Sequence, residues 1–248
     1  MVLMLESDAW RNSGSRCFIT VEKVDDTSPE PANFTIGIRE VSEREILPEE
    51  VLARKLIMTR VFQEIECSAI SHRERRRLQV EGQTSYTYGE IDPTHFIPVL
   101  GLLDMRADEE FWDLGCGAGK VLVTVSLAFP WLKRITGVEY LEGLAGAARQ
   151  AVGRFHELIN ENEEDREKLQ VVCGDMREID WSGADIVYAS SLCFSSELVE
   201  AIHEKMLLLK VGSRIVTLKI IPDKTNFLLL HTLRVKMTWG CWWKLPSA

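Results

Sequence analysis

The sequence contains no run approaching the roughly 18 uninterrupted apolar residues needed to span a bilayer, and it has neither an internal repeat nor a low-complexity segment. Its six cysteines, Cys17, Cys67, Cys116, Cys173, Cys193 and Cys241, form no CxxC pair and no metal-ligand spacing. No metal is therefore expected, and cysteine here is a small hydrophobe in a reducing compartment. No Gly-Lys-Ser or Gly-Lys-Thr follows a glycine-rich stretch, which excludes a phosphate-binding P-loop. Basic residues are in the minority, 29 Lys and Arg against 38 Asp and Glu, for a formal charge of -9. That balance argues against a broad non-specific nucleic-acid surface and is compatible with a basic peptide partner. The apolar start Met1-Val2-Leu3-Met4-Leu5 reaches Glu6 and Asp8 too soon for a secretory segment, so an intracellular protein with no membrane contact is expected.

What is present is an ordinary globular composition, 46% hydrophobic and 27% charged over 248 residues, enough for a sizeable core. Alternating patterns at Cys17 to Val24 and Phe34 to Val41 flank the turn formers Asp25 to Pro31, and predict two antiparallel strands joined as a hairpin. Pro48-Glu49-Glu50 opens a helix to about residue 67, with Val51, Leu52, Leu56, Val61, Phe62 and Ile65 on its apolar side. Arg73 to Arg77 is a basic run, either a solvated helix face or a partner contact. Glu81 to Glu90 is predicted to be a loop, and Asp92-Pro93 the start of a further helix. Strand and helix then alternate: strands at Phe111 to Asp113, Ile135 to Glu139, Leu169 to Cys173, Ala184 to Ala189 and Arg214 to Ile220, with helices at Val121 to Phe129, Leu141 to Ile159 and from Ser195 to a stop at Gly212. Phe227 to Val235 and Trp239 to Leu245 are expected to close the sheet as an antiparallel pair.

The chain is organised around Phe111-Trp112-Asp113-Leu114-Gly115-Cys116-Gly117-Ala118-Gly119 and the following strand to Gly137-Val138-Glu139. A buried strand enters a turn without side chains, a helix begins with exposed N–H groups, and a carboxylate ends the next strand where it can accept ribose hydroxyls. The spacing differs from GxGxxG. A carboxylate beside a pyrophosphate is repulsive, whereas Asp113 can face a cationic amino group, so the pattern points to S-adenosylmethionine rather than a dinucleotide. The sulfonium already activates the methyl group; the protein must place a nucleophile in line with it and exclude water. Phe194, Trp239, Trp242 and Trp243 are candidates for an aromatic channel that desolvates an acceptor amine, or for core packing.

Tyr88-Gly89-Glu90, Asp113 to Val121, Gly137-Val138-Glu139 and Gly174-Asp175 together resemble the non-SET histone-lysine methyltransferases of the disruptor-of-telomeric-silencing family, over about residues 48 to 245. The resemblance implies an α/β fold: a Rossmann-like, seven-stranded class I methyltransferase sheet at 91–248, preceded by an N-terminal β-hairpin and helical accessory region at 1–90. It implies that Glu90 and Asp113 engage the methionine end of the cofactor, Tyr88 belongs to the cofactor site, Gly115 and Gly117 shape its pocket, Glu139 binds ribose, and Asp175 with Met176 holds the adenine. Ser190 and Phe194 stand at the catalytic edge, and Trp239 and Trp243 match aromatic positions bordering the lysine channel. The implied activity is methyl transfer to a protein lysine, with histone or nucleosome as partner and the nucleus, otherwise the cytoplasm, as location. The sequence departs from the family in having Ser190-Ser191-Leu192-Cys193-Phe194 where paired asparagines precede an aromatic. That keeps open a non-histone protein or small-molecule acceptor, or a catalytically silent scaffold. Oligomeric state is not indicated.

Overall fold

The computed structural model describes residues 15–23, 38–40, 48–89, 91, 93–159, 163–218 and 226–236. Strands β1 (Ser15–Lys23) and β2 (Ile38–Glu40) precede helices α1 (Pro48–Val61), α2 (Cys67–Arg77) and α3 (Pro93–Gly101). Then follow β3 (Glu110–Leu114), α4 (Lys120–Ala128), β4 (Arg134–Glu139), α5 (Glu142–Leu158), α6 (Glu163–Arg166), β5 (Leu169–Cys173), β6 (Ile186–Ala189), α7 (Ser196–Met206), β7 (Arg214–Thr217) and β8 (Phe227–Lys236). The eight strands lie in the order β2-β8-β1-β7-β6-β3-β4-β5, and the five from β5 to β7 are parallel. Chain order reverses between β3 and β6. Open α/β sheets place ligands at such a switch point, outside the carboxyl ends of the strands.

Alternation along the strands divides the interior in two. Phe111, Ile135, Ile186, Tyr188 and Val216 face α3, α4 and α5, where Phe96, Val99, Leu100, Leu122, Val125 and Phe155 complete one core. Leu114, Val138, Val187, Ala189 and Ile215 face the other way, onto Trp181 and the α7 residues Ile202 and Met206. Trp181 is buried without a stranded polar atom, since its indole N–H donates to the Met176 carbonyl at 2.9 Å. Ser195 caps α7, its hydroxyl accepting from the Leu198 N–H at 3.3 Å, and Gly212 sits at φ 88 after the helix, a left-handed conformation that favours glycine.

The N-terminal strands do not form a hairpin. β1 lies between β7 and β8, antiparallel to both, while β2 pairs in parallel with the far side of β8. Alternation identifies each segment as a strand but carries no information about its neighbour, and both edges of β1 are filled by strands from the other end of the chain. The sheet thus exceeds the expected seven strands, and the antiparallel neighbour of β8 is β1; residues 239–245 lie outside the described residues. The first helix is also shorter than its apolar pattern. It ends at Val61, Phe62 and Ile65 pack on the core from the following turn, and Leu56 is exposed.

Opposite the carboxyl ends, one buried ion pair closes the sheet. Arg214 of β7 bonds Glu109 and the Leu103 carbonyl, and reaches the Asp104 carbonyl at 2.9 Å; Glu109 also accepts from the Arg106 N–H at 2.7 Å. With both side chains about nine-tenths buried, removing one partner strands the other in a low-dielectric setting. Arg214→Met should cost about 3–5 kcal/mol in urea unfolding, and Arg214→Met/Glu109→Leu should recover part of it. A loss under about 1 kcal/mol in the single variant would show that the pair is dispensable.

Candidate functional site

The turn after β3 is held by the end of β4. Gly115 and Cys116 both donate to the Val138 carbonyl, at 2.8 and 3.0 Å, and Gly117 donates to Glu139 Oε2 at 2.8 Å. Glu139 Oε1 accepts from the Leu141 N–H at 2.9 Å. Glu139 therefore braces the turn through one oxygen and the start of α5 through the other. Each oxygen keeps acceptor capacity for a hydroxyl. Gly115 and Gly117 have φ of 88 and 55, and a Cβ on Gly117 would lie 2.6 Å from Tyr88 Cε2. Glycine is required there by both backbone and neighbour.

Asp113, 1% exposed, sits between Gly137 and Tyr188 in the strand register. Neither of its carboxylate oxygens has a hydrogen-bond partner among the described residues. Burial, and then the charge of Glu139, push its carboxyl well above the usual range. Burial also raises Glu139, against the opposing pull of the Leu141 and Gly117 N–H groups. The same enclosure raises the Cys116 thiol, with Asp113 and Glu139 adding to it, which makes it an unreactive cysteine. An unpaired carboxylate in such a place is costly unless a cation or donor meets it. The arrangement suits a ligand that presents a positive group at Asp113.

Around these carboxylates stand the walls. A Cβ at Gly115 would meet Phe194 Cζ at 3.6 Å and Met176 Cε at 3.8 Å, and both side chains are buried. Residues 84–88 cross three strand ends. Ser85 Oγ accepts from the Ser195 N–H at 2.8 Å, the Tyr86 ring lies 5.2 Å from that of Tyr140, and Tyr88 covers Gly117. Beyond β5, the carboxylate of Asp175 is held by the Arg177 guanidinium, with Nε at 3.0 Å from each oxygen, and Arg177 keeps its carboxyl below the usual range. After β6, Tyr188 bonds the Ser190 side chain, and Ser191 Oγ lies 2.6 Å from Thr217 Oγ1.

Of the expected site residues, Tyr88, Gly115, Gly117, Met176, Phe194, Asp113 and Glu139 thus assemble about one turn. Asp175 is at the neighbouring strand end, tied to Arg177, and Ser190 is tied to Tyr188. Glu90, Trp239, Trp242 and Trp243 lie outside the described residues. The sequence reading missed Tyr86, Tyr140, Ser85 and Thr217. Tyr86, two residues before Tyr88-Gly89-Glu90, and Tyr140, next to Glu139, had a signal in their position; Ser85 and Thr217 become neighbours of the site through pairings distant in sequence. Among the glycines of α5, Gly143 makes a close contact, with Glu74 Cγ 2.7 Å from where its Cβ would be, while Gly146 and Gly153 face open space. Glu74 accepts from the Gly143 N–H at 3.1 Å and from Arg77 at 3.0 and 3.1 Å, which uses one cation of the basic run within the fold. No group of three or more His, Cys, Asp or Glu side chains that could hold a metal occurs among the described residues.

A parallel sheet whose first core strand is central, with helices on both faces, an antiparallel strand beyond β7 and a glycine turn at the switch point is the Rossmann-like arrangement of class I methyltransferases. Residues 68–233 match the family model described as histone methylation protein DOT1, and the chain belongs to that family. A Caenorhabditis elegans protein described as histone-lysine N-methyltransferase, H3 lysine-79 specific, is 28% identical over 142 residues, 55% of this chain and 15% of that protein. The chain therefore spans a small part of that relative. Among solved structures, the glycopeptide N-methyltransferase MtfA complexed with S-adenosyl-L-methionine is similar over 51% of this chain and 54% of its own, at 16% identity and TM-score 0.42. An RNA methyltransferase from Salinibacter ruber in complex with S-adenosyl-L-homocysteine is similar over 49% of this chain and 72% of its own, at 22% identity and TM-score 0.40.

The raised carboxyl of Asp113 has a sign. The folded chain holds its proton to higher pH than the unfolded chain does, so this contribution to stability is full below the ordinary carboxylate range and is lost as pH rises through the folded value. Asp113→Leu should make the ligand-free protein more stable at neutral pH, by about 1–3 kcal/mol, and flatten the decline on going from acid to neutral. Thermal unfolding across that range checks this; a variant less stable at neutral pH would contradict the unpaired carboxylate.

Proposed function

We propose that this protein is an S-adenosylmethionine-dependent methyltransferase acting on a protein lysine, with histone in the nucleosome as the leading substrate and the nucleus as its place of action. The single observation that carries the reading is the buried carboxylate of Asp113, without a hydrogen-bond partner among the described residues, beside the glycine turn. The residues fit the cofactor. Asp113 suits its ammonium group, Gly115 and Gly117 shape the turn at its methionine portion, Glu139 retains acceptor capacity for ribose hydroxyls, and Met176 and Phe194 supply apolar contact. Asp175 would act at the adenine end as part of its pair with Arg177. When bound, the cofactor supplies a methyl group already activated by a sulfonium.

The protein's own work is then placement and exclusion of water. Tyr88 covers the glycine turn, and Phe194 closes its side, so an approaching amine would lose hydration and favour the neutral, nucleophilic form. Family membership supports the lysine acceptor, and the net charge of -9 is suited to a basic substrate. Transfer to a non-histone protein or a small molecule is favoured by one feature, the serine pair at 190–191 in place of asparagines, with Ser191 already engaged by Thr217 of the neighbouring strand.

Incubation with nucleosomes, free histones and methyl-labelled cofactor, followed by mass spectrometry, is the test. Wild type should label lysine, and Asp113→Asn should reduce cofactor affinity roughly 10- to 100-fold, in keeping with the loss of a charge-assisted contact. Cofactor binding without histone labelling, together with labelling of another component of cell extract, would move the substrate to the second reading. Binding without labelling of anything would favour a silent scaffold.

A further inference from the structure

The serine edge after β6 contains a contact that the proposed reaction does not use. Ser191 and Thr217 are 4% and 3% exposed, on the turn after β6 and at the end of β7. Their hydroxyls are 2.6 Å apart, and Ser191 Oγ also accepts from the Leu218 N–H at 3.3 Å. The Ser191 carbonyl accepts from the Phe194 N–H at 3.1 Å, so one residue ties β7 through its side chain and Phe194 through its backbone. Phe194 is in turn the ring 3.6 Å from the Cβ position of Gly115.

We propose that the Ser191–Thr217 hydroxyl pair is a positioning device for the cofactor site: it fixes the turn after β6 to β7 so that Phe194 is held against the glycine turn. The inference rests on the reading of that turn as a cofactor site. Removing both hydroxyls leaves neither of them stranded and so costs less than removing Ser191 alone, although the Leu218 N–H then loses its acceptor. What the hydroxyls add is direction. The pair fixes the separation of the two strand ends more narrowly than apolar contact would. Ser191 and Thr217 therefore act through Phe194 and are positioning residues.

The test compares Ser191→Ala, Thr217→Val, Thr217→Ser and the double variant Ser191→Ala/Thr217→Val. Each is followed by calorimetric titration with S-adenosylmethionine, by thermal unfolding, and by hydrogen exchange at the Phe194 amide. Ser191→Ala and Thr217→Val should each raise the dissociation constant roughly tenfold and speed exchange at Phe194, and Thr217→Ser, which keeps the hydroxyl, should restore both. The double variant should regain melting temperature over Ser191→Ala, in which the Thr217 hydroxyl is stranded, while its affinity stays low and its Phe194 exchange fast. Affinity that recovers together with melting temperature, or single variants that melt earlier yet bind normally, would overturn the proposal while leaving the cofactor reading intact. A wild-type chain that binds no S-adenosylmethionine would remove both. Because hydrogen exchange needs no ligand, slow exchange at Phe194 in the single variants would overturn the brace on its own.

Discussion

The carboxylate of Asp113 is carried into the interior by the central strand, where no described residue donates to it, and much of the surrounding structure follows from keeping that position. Phe111 and Leu114 bury β3 on both faces of the sheet, which fixes Asp113 between Gly137 and Tyr188. Nothing larger than glycine fits at 137, where a Cβ would lie 2.6 Å from Leu122 and 2.7 Å from the Cys116 sulfur. The turn that follows is then held by Glu139, whose two oxygens take backbone donors from opposite sides. One carboxylate is satisfied and braces the site; the other has no hydrogen-bond partner among the described residues. This contrast, and not the glycine turn alone, distinguishes the site from a structural loop.

The remaining walls come from parts of the chain that are distant in sequence. Residues 84–88 reach the ends of β4 and β6 and the glycine turn through Tyr140, Ser195 and Gly117. The helices before that segment are anchored in turn on α5: Glu74 caps its start, and Arg154 donates to the Gln63 carbonyl at 2.5 Å beyond the end of α1. The N-terminal helices are thereby tied to the strand ends that carry the site, and β1 enters the sheet itself between β7 and β8.

Residues whose meaning is local were legible in the sequence. The glycine turn, the carboxylates at 113 and 139, the strand Leu169 to Cys173 and the Ser195 cap are set by period, turn chemistry and spacing within a few residues of each other. Pairing of β1 with β7 and β8 was not, because alternation specifies a face and not a neighbour. The engagement of Asp175 by Arg177, only two positions away, was hidden for another reason: charge proximity in sequence does not say which way a loop turns its side chains. The hydroxyl pair of Ser191 and Thr217 depends on the parallel register of β6 and β7, which places Ala189 beside Thr217. Two serines replacing asparagines read as a loss in sequence, whereas in the fold each hydroxyl has a partner.

The central claim is that Asp113 receives a cationic ligand. The most direct measurement is calorimetric titration of the folded chain with S-adenosylmethionine near neutral pH in two buffers of different ionisation enthalpy. A carboxyl whose proton is held by burial must release it when a cation binds, so the account predicts one-to-one binding with an apparent enthalpy that differs between the buffers, and loss of that difference in Asp113→Asn. Absence of binding, or binding with the same enthalpy in both buffers and undiminished in Asp113→Asn, would contradict it.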